Sequence, residues 1–264
     1  MDRIGHAGWL MLMSPVLATQ AAYVRMSIPR LPDAAGPDED EFAGSGPTLK
    51  LLALGESTIA GVGAQRQEEA LACQCAGRLR NLTGRAVRWK ALGRSGANAR
   101  KLLASVRASR LEADLVLLAL GVNDAVEFRP ADKWARDLAD LVSAIRGQMG
   151  HVPVLLAGVP PLERFPALPW PLRDCLGRRA RVLDQEARRL AARMAGVRHC
   201  RTPLPEPAHL AEDGFHPSPA GYKGWACLLA HEMAALAGLG PDELVADLAA
   251  VSYNPLNMGN GWAA

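Results

Sequence analysis

The chain has 264 residues, a length that suits one α/β domain with short extensions. Hydrophobic residues make up 49% of it and the net charge is only +3, so the composition is typical of a globular protein and excludes a disordered one. The arginines are scattered along predicted helices and no basic stretch is interleaved with aromatic residues, which argues against nucleic-acid binding.

An apolar segment occupies residues 1–26. Its centre, residues 7–24, lies between Arg3 and Arg25 and is short for a membrane span. Three residues weaken its apolar character further: Pro15, Thr19 and Gln20. We weigh two equal alternatives, membrane association and packing against the protein's own body. A cleaved signal peptide ranks below both, because the leader includes Asp2.

The next segments predict a connector followed by a single catalytic domain. Residues 27–47 are rich in proline, glycine and acidic side chains, which predicts an extended linker. Residues 48–240 alternate between short apolar runs and helical patterns. Residues 241–264 show little apolar periodicity, and we treat them as a C-terminal extension.

Within the predicted domain, the apolar runs indicate five strands and the intervening patterns indicate helices. The strands are expected at residues 49–54, 86–92, 115–120, 152–157 and 197–201. The helices are expected at residues 68–82, 97–109, 131–149, 171–194 and 219–236. Apolar strands separated by helices of this length predict a mainly parallel sheet covered on both faces. The active site of such a sheet forms at the carboxyl ends of its strands.

Two polar motifs follow predicted strands directly. Ser57, in Gly55-Glu56-Ser57, comes after the first strand at the expected start of a helix. A serine there is commonly an N-cap, and it can also be a nucleophile whose N–H faces a developing oxyanion. Asn123, in Gly121-Val122-Asn123-Asp124, follows the third strand. Asparagine is ordinary in a turn, but its amide can donate to an oxyanion as well.

A third motif, residues 213–217, lies just before the last predicted helix. Its Asp213 and His216 are three positions apart, so the carboxylate can orient one ring nitrogen while the other acts as a general base. The remaining histidines have no such partner in a turn, and we interpret them as N-terminal, surface or packing residues: His6, His151, His199, His209 and His231.

Taken together, these motifs resemble the sequence blocks of SGNH (GDSL-like) hydrolases, in the same order and at the same strand ends. A fourth block matches residues 93–98 (Gly-Arg-Ser-Gly-Ala-Asn) after the second strand. The resemblance covers roughly residues 49–236. It implies a flavodoxin-like three-layer α/β/α sandwich with a five-stranded, mainly parallel sheet.

The resemblance also implies a serine esterase that uses no metal and no cofactor. Ser57 is then the nucleophile, and Asp213 and His216 complete the triad. The oxyanion hole is formed by Ser57, Gly96 and Asn123, with Gly93 as the alternative to Gly96. One residue departs from the family pattern, because Glu56 stands where the family usually has aspartate. We expect this change to alter the hydrogen bonds of the serine loop without abolishing the chemistry.

The expected substrate is a small-molecule or lipid-like ester, and several activities on the same fold stay open. These are carbohydrate O-acetyl esterase, thioesterase and lysophospholipase. A metallophosphoesterase using Asp124, Asp213 and His216 is a remote alternative, since so few ligands do not suit a two-metal site. A binding module without activity fits poorly, because all four blocks are filled. The oligomeric state stays open.

A proline-rich loop follows the fourth predicted strand. Residues 160–171 contain five prolines and two aromatic residues, and this loop either walls an acyl pocket or merely packs over the sheet.

The odd number of cysteines predicts free, buried thiols and no disulfide framework: Cys73, Cys75, Cys175, Cys200 and Cys227. Free thiols favour a cytoplasmic or inner-membrane-associated protein over a secreted one.

Overall fold

A computed structural model of the protein describes residues 3–239; the expected C-terminal extension, residues 241–264, lies outside the described residues. The described strands are β1 (Glu39–Phe42), β2 (Ser45–Gly55), β3 (Arg85–Gly93), β4 (Leu115–Ala119), β5 (Val154–Ala157) and β6 (Val197–Cys200). The α-helices are α1 (Arg3–Ser27), α2 (Leu71–Thr83), α3 (Ala99–Ala108), α4 (Val122–Val126), α5 (Ala131–Met149), α6 (Leu172–Arg193) and α7 (Pro219–Leu236). All five predicted strands and all five predicted helices are therefore present.

The strands form one sheet in the order β1-β3-β2-β4-β5-β6. Strands β3, β2, β4, β5 and β6 are parallel, and their order is that of flavodoxin-like folds. Parallel strands must be covered on both faces, and the sequences of β4 and β5 (LVLLA and VLLA) are entirely buried. The predicted fold class is confirmed.

The sheet has six strands where the sequence predicted five. The additional strand β1 pairs antiparallel with β3, from Glu39 opposite Lys90 to Phe42 opposite Val87. Three of its four residues are acidic, so no apolar run marks it in the sequence. It falls inside residues 27–47, whose predicted extended conformation is thus partly a paired edge strand.

Helices pack on both faces of the sheet. One buried cluster joins α2 and α7 to one face through residues such as Leu79 and Leu229. The other joins α3, α5 and α6 to the opposite face through residues such as Leu138 and Leu183. The three-layer sandwich follows from these two cores. The five cysteines are free and buried, as the sequence predicted.

Helix α1 contacts the body of the protein through one face. The Gln20 amide donates to the Trp170 carbonyl at 2.6 Å and accepts from the Leu172 N–H at 3.1 Å, while Leu17 and Val24 pack against the core on the α6 side of the sheet. Self-packing, one of the two alternatives for residues 7–24, is therefore seen at these points. Among the helices of residues 3–239, none is long and apolar enough to cross a membrane.

Candidate active site

The sheet topology brings the sequence motifs to one edge. Strand β2 lies between β3 and β4, so the chain leaves the sheet in opposite directions on its two sides and opens a crevice at the carboxyl ends. Ser57 follows β2, residues 93–98 follow β3, and Asn123 follows β4. The motif of residues 213–217 reaches the same edge from the start of α7.

Ser57 lies in a run of turns, and the expectation that a helix starts there is wrong. The Ile59 N–H donates to the Glu56 carbonyl at 3.0 Å and the Val62 N–H donates to the Ser57 carbonyl at 3.0 Å. The run does not continue as a helix, because Gly61 and Gly63 adopt positive φ values. Helix α2 begins at Leu71. The N-cap interpretation of Ser57 is thereby removed.

His216 contacts both other residues of the predicted triad. Its Nε2 lies 3.0 Å from the Ser57 Oγ, and its Nδ1 lies 2.6 Å from the Asp213 Oδ2. The other oxygen of Asp213 accepts the N–H groups of Phe215 and His216, both at 2.9 Å. One carboxylate therefore shapes the turn and orients the imidazole at the same time.

The electrostatics of this turn favour a charged Asp213. The Asp213 side chain is fully buried, and burial opposes its ionisation. The hydrogen bonds from the His216 ring and from the N–H groups of His216 and Phe215 outweigh burial, and the pKa of Asp213 lies below its ordinary value. An ionised carboxylate beside Nδ1 stabilises a positive imidazole, as a general base requires.

The serine loop and the histidine turn are held together by close backbone packing. A side chain at Gly63 would place its Cβ 2.2 Å from the Pro217 carbonyl oxygen and 3.3 Å from the Cβ of His216, so glycine is required for this approach. The buried Tyr222 of α7 donates its hydroxyl to the Val62 carbonyl at 2.6 Å. The distance between Ser57 and His216 thus rests on contacts made outside the three residues themselves.

The amide of Asn123 reaches the same edge but is already engaged. It donates to the Glu56 Oε2 at 2.5 Å and to the Ala97 carbonyl at 2.8 Å. The Glu56 carboxylate also accepts the N–H groups of Val122 at 2.9 Å and Asn123 at 3.0 Å. Glu56 is therefore a residue of the site. From the sequence, Glu56 was expected to alter the hydrogen bonds of the serine loop, but its bonds to Val122 and Asn123 were not predicted.

The two glycine candidates of the oxyanion hole have different surroundings. A Cβ on Gly93 would meet the Ala60 backbone nitrogen at 2.1 Å, so this glycine allows the end of β3 to pack against the serine loop. Gly96 lies in the following turn at a φ of +74°, and a Cβ there would meet no atom within 4 Å. Close packing thus accounts for Gly93, and Gly96 stays the candidate donor.

An apolar cavity of about 90 Å³ opens beside Ser57 and His216. Its size is several times what one water molecule requires. Pro160 and Phe165 of the proline-rich loop line it, together with residues that follow β4 and β6. The loop therefore forms part of the wall of this cavity, and its role in binding an acyl group stays a prediction. Phe165 also packs against Phe215, with ring centroids 5.2 Å apart.

A second buried Asp–His pair, Asp184 and His199, was not predicted from the sequence, where His199 was interpreted as an ordinary surface or packing residue. The His199 Nε2 is 2.7 Å from the Asp184 Oδ1, and Asp184 also accepts from Arg188 at 2.7 Å and from the Val159 N–H at 3.0 Å. Burial opposes ionisation of Asp184, but its bonds to His199 and Arg188 hold its pKa below the ordinary value.

The metal alternative has little geometric basis. Asp124 is buried and accepts the Ala99 N–H at 3.0 Å. Within residues 3–239, no three His, Cys, Asp or Glu side chains form a group that could hold a metal ion.

The comparison with family models identifies the class. Residues 53–223, well over half of the chain, match the GDSL-like lipase/acylhydrolase family. The chain belongs to this family and is a carboxylic ester hydrolase, which favours acyl hydrolysis over phosphoester hydrolysis by metals. No curated protein matches the sequence.

Solved structures share the fold at low sequence identity. A family 3 carbohydrate esterase from Clostridium thermocellum is 19% identical with a TM-score of 0.57, over 74% of this chain and 100% of the other. The protein TesA is 21% identical with a TM-score of 0.56, over 71% and 99%. The lipase Lip_vut3 from a goat rumen metagenome is 18% identical with a TM-score of 0.53, over 73% and 98%. These similarities extend the fold assignment to nearly the full length of each neighbour.

Proposed function

We propose that the protein hydrolyses carboxylic esters through an acyl-enzyme on Ser57, with His216 as general base and Asp213 as its orienting carboxylate. The observation that carries this proposal is the continuous chain of contacts from the Ser57 Oγ through both ring nitrogens of His216 to Asp213. A serine becomes nucleophilic when such a base takes its proton.

The reaction then has two halves. His216 accepts the Ser57 proton during attack on the ester carbonyl and returns it to the leaving alcohol. Water is activated by the same nitrogen and releases the acid. The N–H groups of Ser57 and Gly96 and the Asn123 amide are the proposed oxyanion donors. Loss of one such donor typically costs on the order of 10²–10³ in kcat.

The cavity favours an aliphatic acyl group as the part of the substrate bound beside Ser57. Leu120, Val122, Leu204, Phe215 and Trp225 contribute apolar walls, and Ser57 and His216 border the same space. Each buried CH₂ contributes about 0.8 kcal/mol of binding. An acetyl group leaves most of this space empty, so we rank a carbohydrate O-acetyl esterase below esterases, thioesterases and lysophospholipases that take longer chains.

Labelling with a fluorophosphonate tests the nucleophile. Mass spectrometry is expected to find the adduct on the peptide that contains Ser57, and Ser57→Ala is expected to lose both the adduct and the turnover of a short-chain aryl ester. Wild-type turnover by the Ser57→Ala variant contradicts the proposal.

A series of aryl esters with acetyl, butyryl, octanoyl and lauroyl groups tests the cavity. We expect kcat/KM to rise from acetyl to the chain that fills the cavity and to exceed the value for an acetylated sugar. Leu204→Trp should shift the optimum to a shorter chain, while the similarly sized Leu204→Met should keep it. A series with its maximum at acetyl in all three proteins refutes the cavity assignment.

A further inference from the structure

The Glu56 carboxylate joins the serine loop to the segment that follows β4. Only 3% of this residue is exposed. Its Oε1 accepts the Val122 N–H, and its Oε2 accepts both the N–H and the side-chain amide of Asn123. Glu56 directly precedes Ser57, so this carboxylate ties the proposed nucleophile to a proposed oxyanion donor.

The Asn123 amide has two hydrogens, and both are bound. One goes to the Glu56 carboxylate and the other to the Ala97 carbonyl at 2.8 Å. The amide can stabilise an oxyanion only by exchanging one of these bonds. A hydrogen bond to an ionised group is roughly twice as strong as one between neutral groups. The bond to Ala97 is therefore the one that exchanges.

We propose that Glu56 is a positioning residue for the oxyanion site: it retains one amide hydrogen of Asn123 so that the other passes from the Ala97 carbonyl to the developing oxyanion. This inference rests on the acyl-enzyme mechanism proposed above. Glu56 acts through Asn123 and transfers no proton to the substrate. Beyond the proposed function, the oxyanion donor Asn123 gains a partner, Glu56, that orients its side-chain amide.

The ionisation of Glu56 makes the proposal measurable. Burial raises the pKa of Glu56 to about 7, although the hydrogen bonds from Asn123 and Val122 oppose the rise. The charged group that faces it is Asp124, which raises the pKa further. A protonated Glu56 is a weaker acceptor for the amide, so acidification through pH 7 should lower kcat.

The test measures kcat and KM on one short-chain aryl ester from pH 5 to 9 for the wild type, Glu56→Gln, Glu56→Asp, Asn123→Ala and the double variant Glu56→Gln/Asn123→Ala. We expect Glu56→Gln to lower kcat at least about 10-fold with KM nearly unchanged, a fraction of the loss from removing an oxyanion donor. Glu56→Asp, which keeps a carboxylate, should retain more activity. In the Asn123→Ala background, Glu56→Gln should lower kcat by less than about 3-fold.

The pH profile separates positioning from a merely structural role. The acid limb of the wild type should contain one ionisation more than that of Glu56→Gln. Asn123→Ala should lose the same ionisation, and this arm applies even if Glu56→Gln does not fold. The inference is overturned if the cost of Glu56→Gln is equally large with and without the Asn123 amide, or if the acid limbs of wild type and Asn123→Ala coincide.

Fluorophosphonate labelling distinguishes the two levels of failure. If wild-type Ser57 is not labelled, the acyl-enzyme mechanism itself is wrong. If wild-type Ser57 is labelled and Glu56→Gln keeps the kcat and pH profile of the wild type, the role of Glu56 alone is refuted.

Discussion

The two Asp–His pairs described above have nearly equal contact distances and different surroundings. The shortest carboxylate–imidazole distance is 2.6 Å in Asp213–His216 and 2.7 Å in Asp184–His199. His216 uses Nδ1 for its aspartate and presents Nε2 to Ser57, whereas His199 uses Nε2 for its aspartate. The His216 side chain is 20% exposed and that of His199 is 7% exposed.

This difference teaches what makes such a pair suitable for catalysis. Asp184 also binds the Arg188 guanidinium and the Val159 N–H, so its charge ties α6 to the segment after β5. The hydrogen bonds that Asp213 makes within the described residues come from its own turn, from Phe215 and His216. A short Asp–His contact is common to both pairs, but only His216 of the two histidines has a serine hydroxyl at its other ring nitrogen.

The largest expected effect is the difference in activity between variants of the two histidines. His216→Gln should lower kcat/KM for a short-chain ester by a factor on the order of 10⁴, because the proposed general base is lost. His199→Gln, the matched change in the other pair, should leave kcat/KM within about 3-fold of wild type. Ester hydrolysis with a thermal melt of each variant measures this. Comparable loss of activity in both variants would remove the distinction between the pairs.

The two aspartates should separate activity from stability. Asp213→Asn should lower kcat strongly because the imidazolium loses its counter-charge. Asp184→Asn should cost about 3–5 kcal/mol of unfolding free energy, because His199, Arg188 and the Val159 N–H lose a buried, charged partner. Urea unfolding together with kcat at saturating ester measures both. If Asp184→Asn is as stable as wild type, the contact of Asp184 with the segment after β5 does not stabilise the fold.

The smallest of the three expected effects is that of Glu56 on stability. Its contribution to the unfolding free energy changes with pH in the direction opposite to that of the two aspartates. Its pKa is raised from 4.5 to about 7, so the folded state opposes its ionisation by about 3 kcal/mol. The contribution of the protonated Glu56 to the unfolding free energy is therefore fully present below pH 4.5 and is lost as pH rises through 7. The pKa values of Asp213 and Asp184 are lowered, so their contributions are lost instead as pH falls.

Urea unfolding of wild type and Glu56→Gln at pH 4 and pH 8 tests this sign. The unfolding free energy of Glu56→Gln relative to wild type should rise by about 3 kcal/mol between the two pH values. A difference that is independent of pH shows that the carboxylate of Glu56 ionises as easily in the folded as in the unfolded protein.

Much of the fold was predictable because apolar runs mark buried parallel strands. Strand β1 was not, because Glu39, Asp40 and Glu41 carry no apolar signal and the strand is defined by pairing with β3, about fifty residues away. Its ion pairs with Lys90 and Arg88 are equally non-local. Local patterns cannot report pairings of this kind.

The site was predictable to the extent that topology alone placed it. Motifs after β2, before α7 and after β4 had to meet at one sheet edge, and Ser57, His216 and Asp213 are indeed in contact. The engagement of the Asn123 amide was not predictable, because it depends on a side chain 67 positions away. The Asp184–His199 pair joins a helix to a strand and has no motif at all.

The acidic composition of β1 affects the association of this protein with other copies of itself through the edge of the sheet. The outer side of a sheet's terminal strand presents unpaired N–H and C=O groups that can recruit a strand from a neighbouring molecule. At this edge a recruited strand would approach the consecutive carboxylates of Glu39, Asp40 and Glu41. These acidic side chains, two of which pair with Lys90 and Arg88, keep this edge charged and hydrated, which disfavours the addition of a further strand at β1.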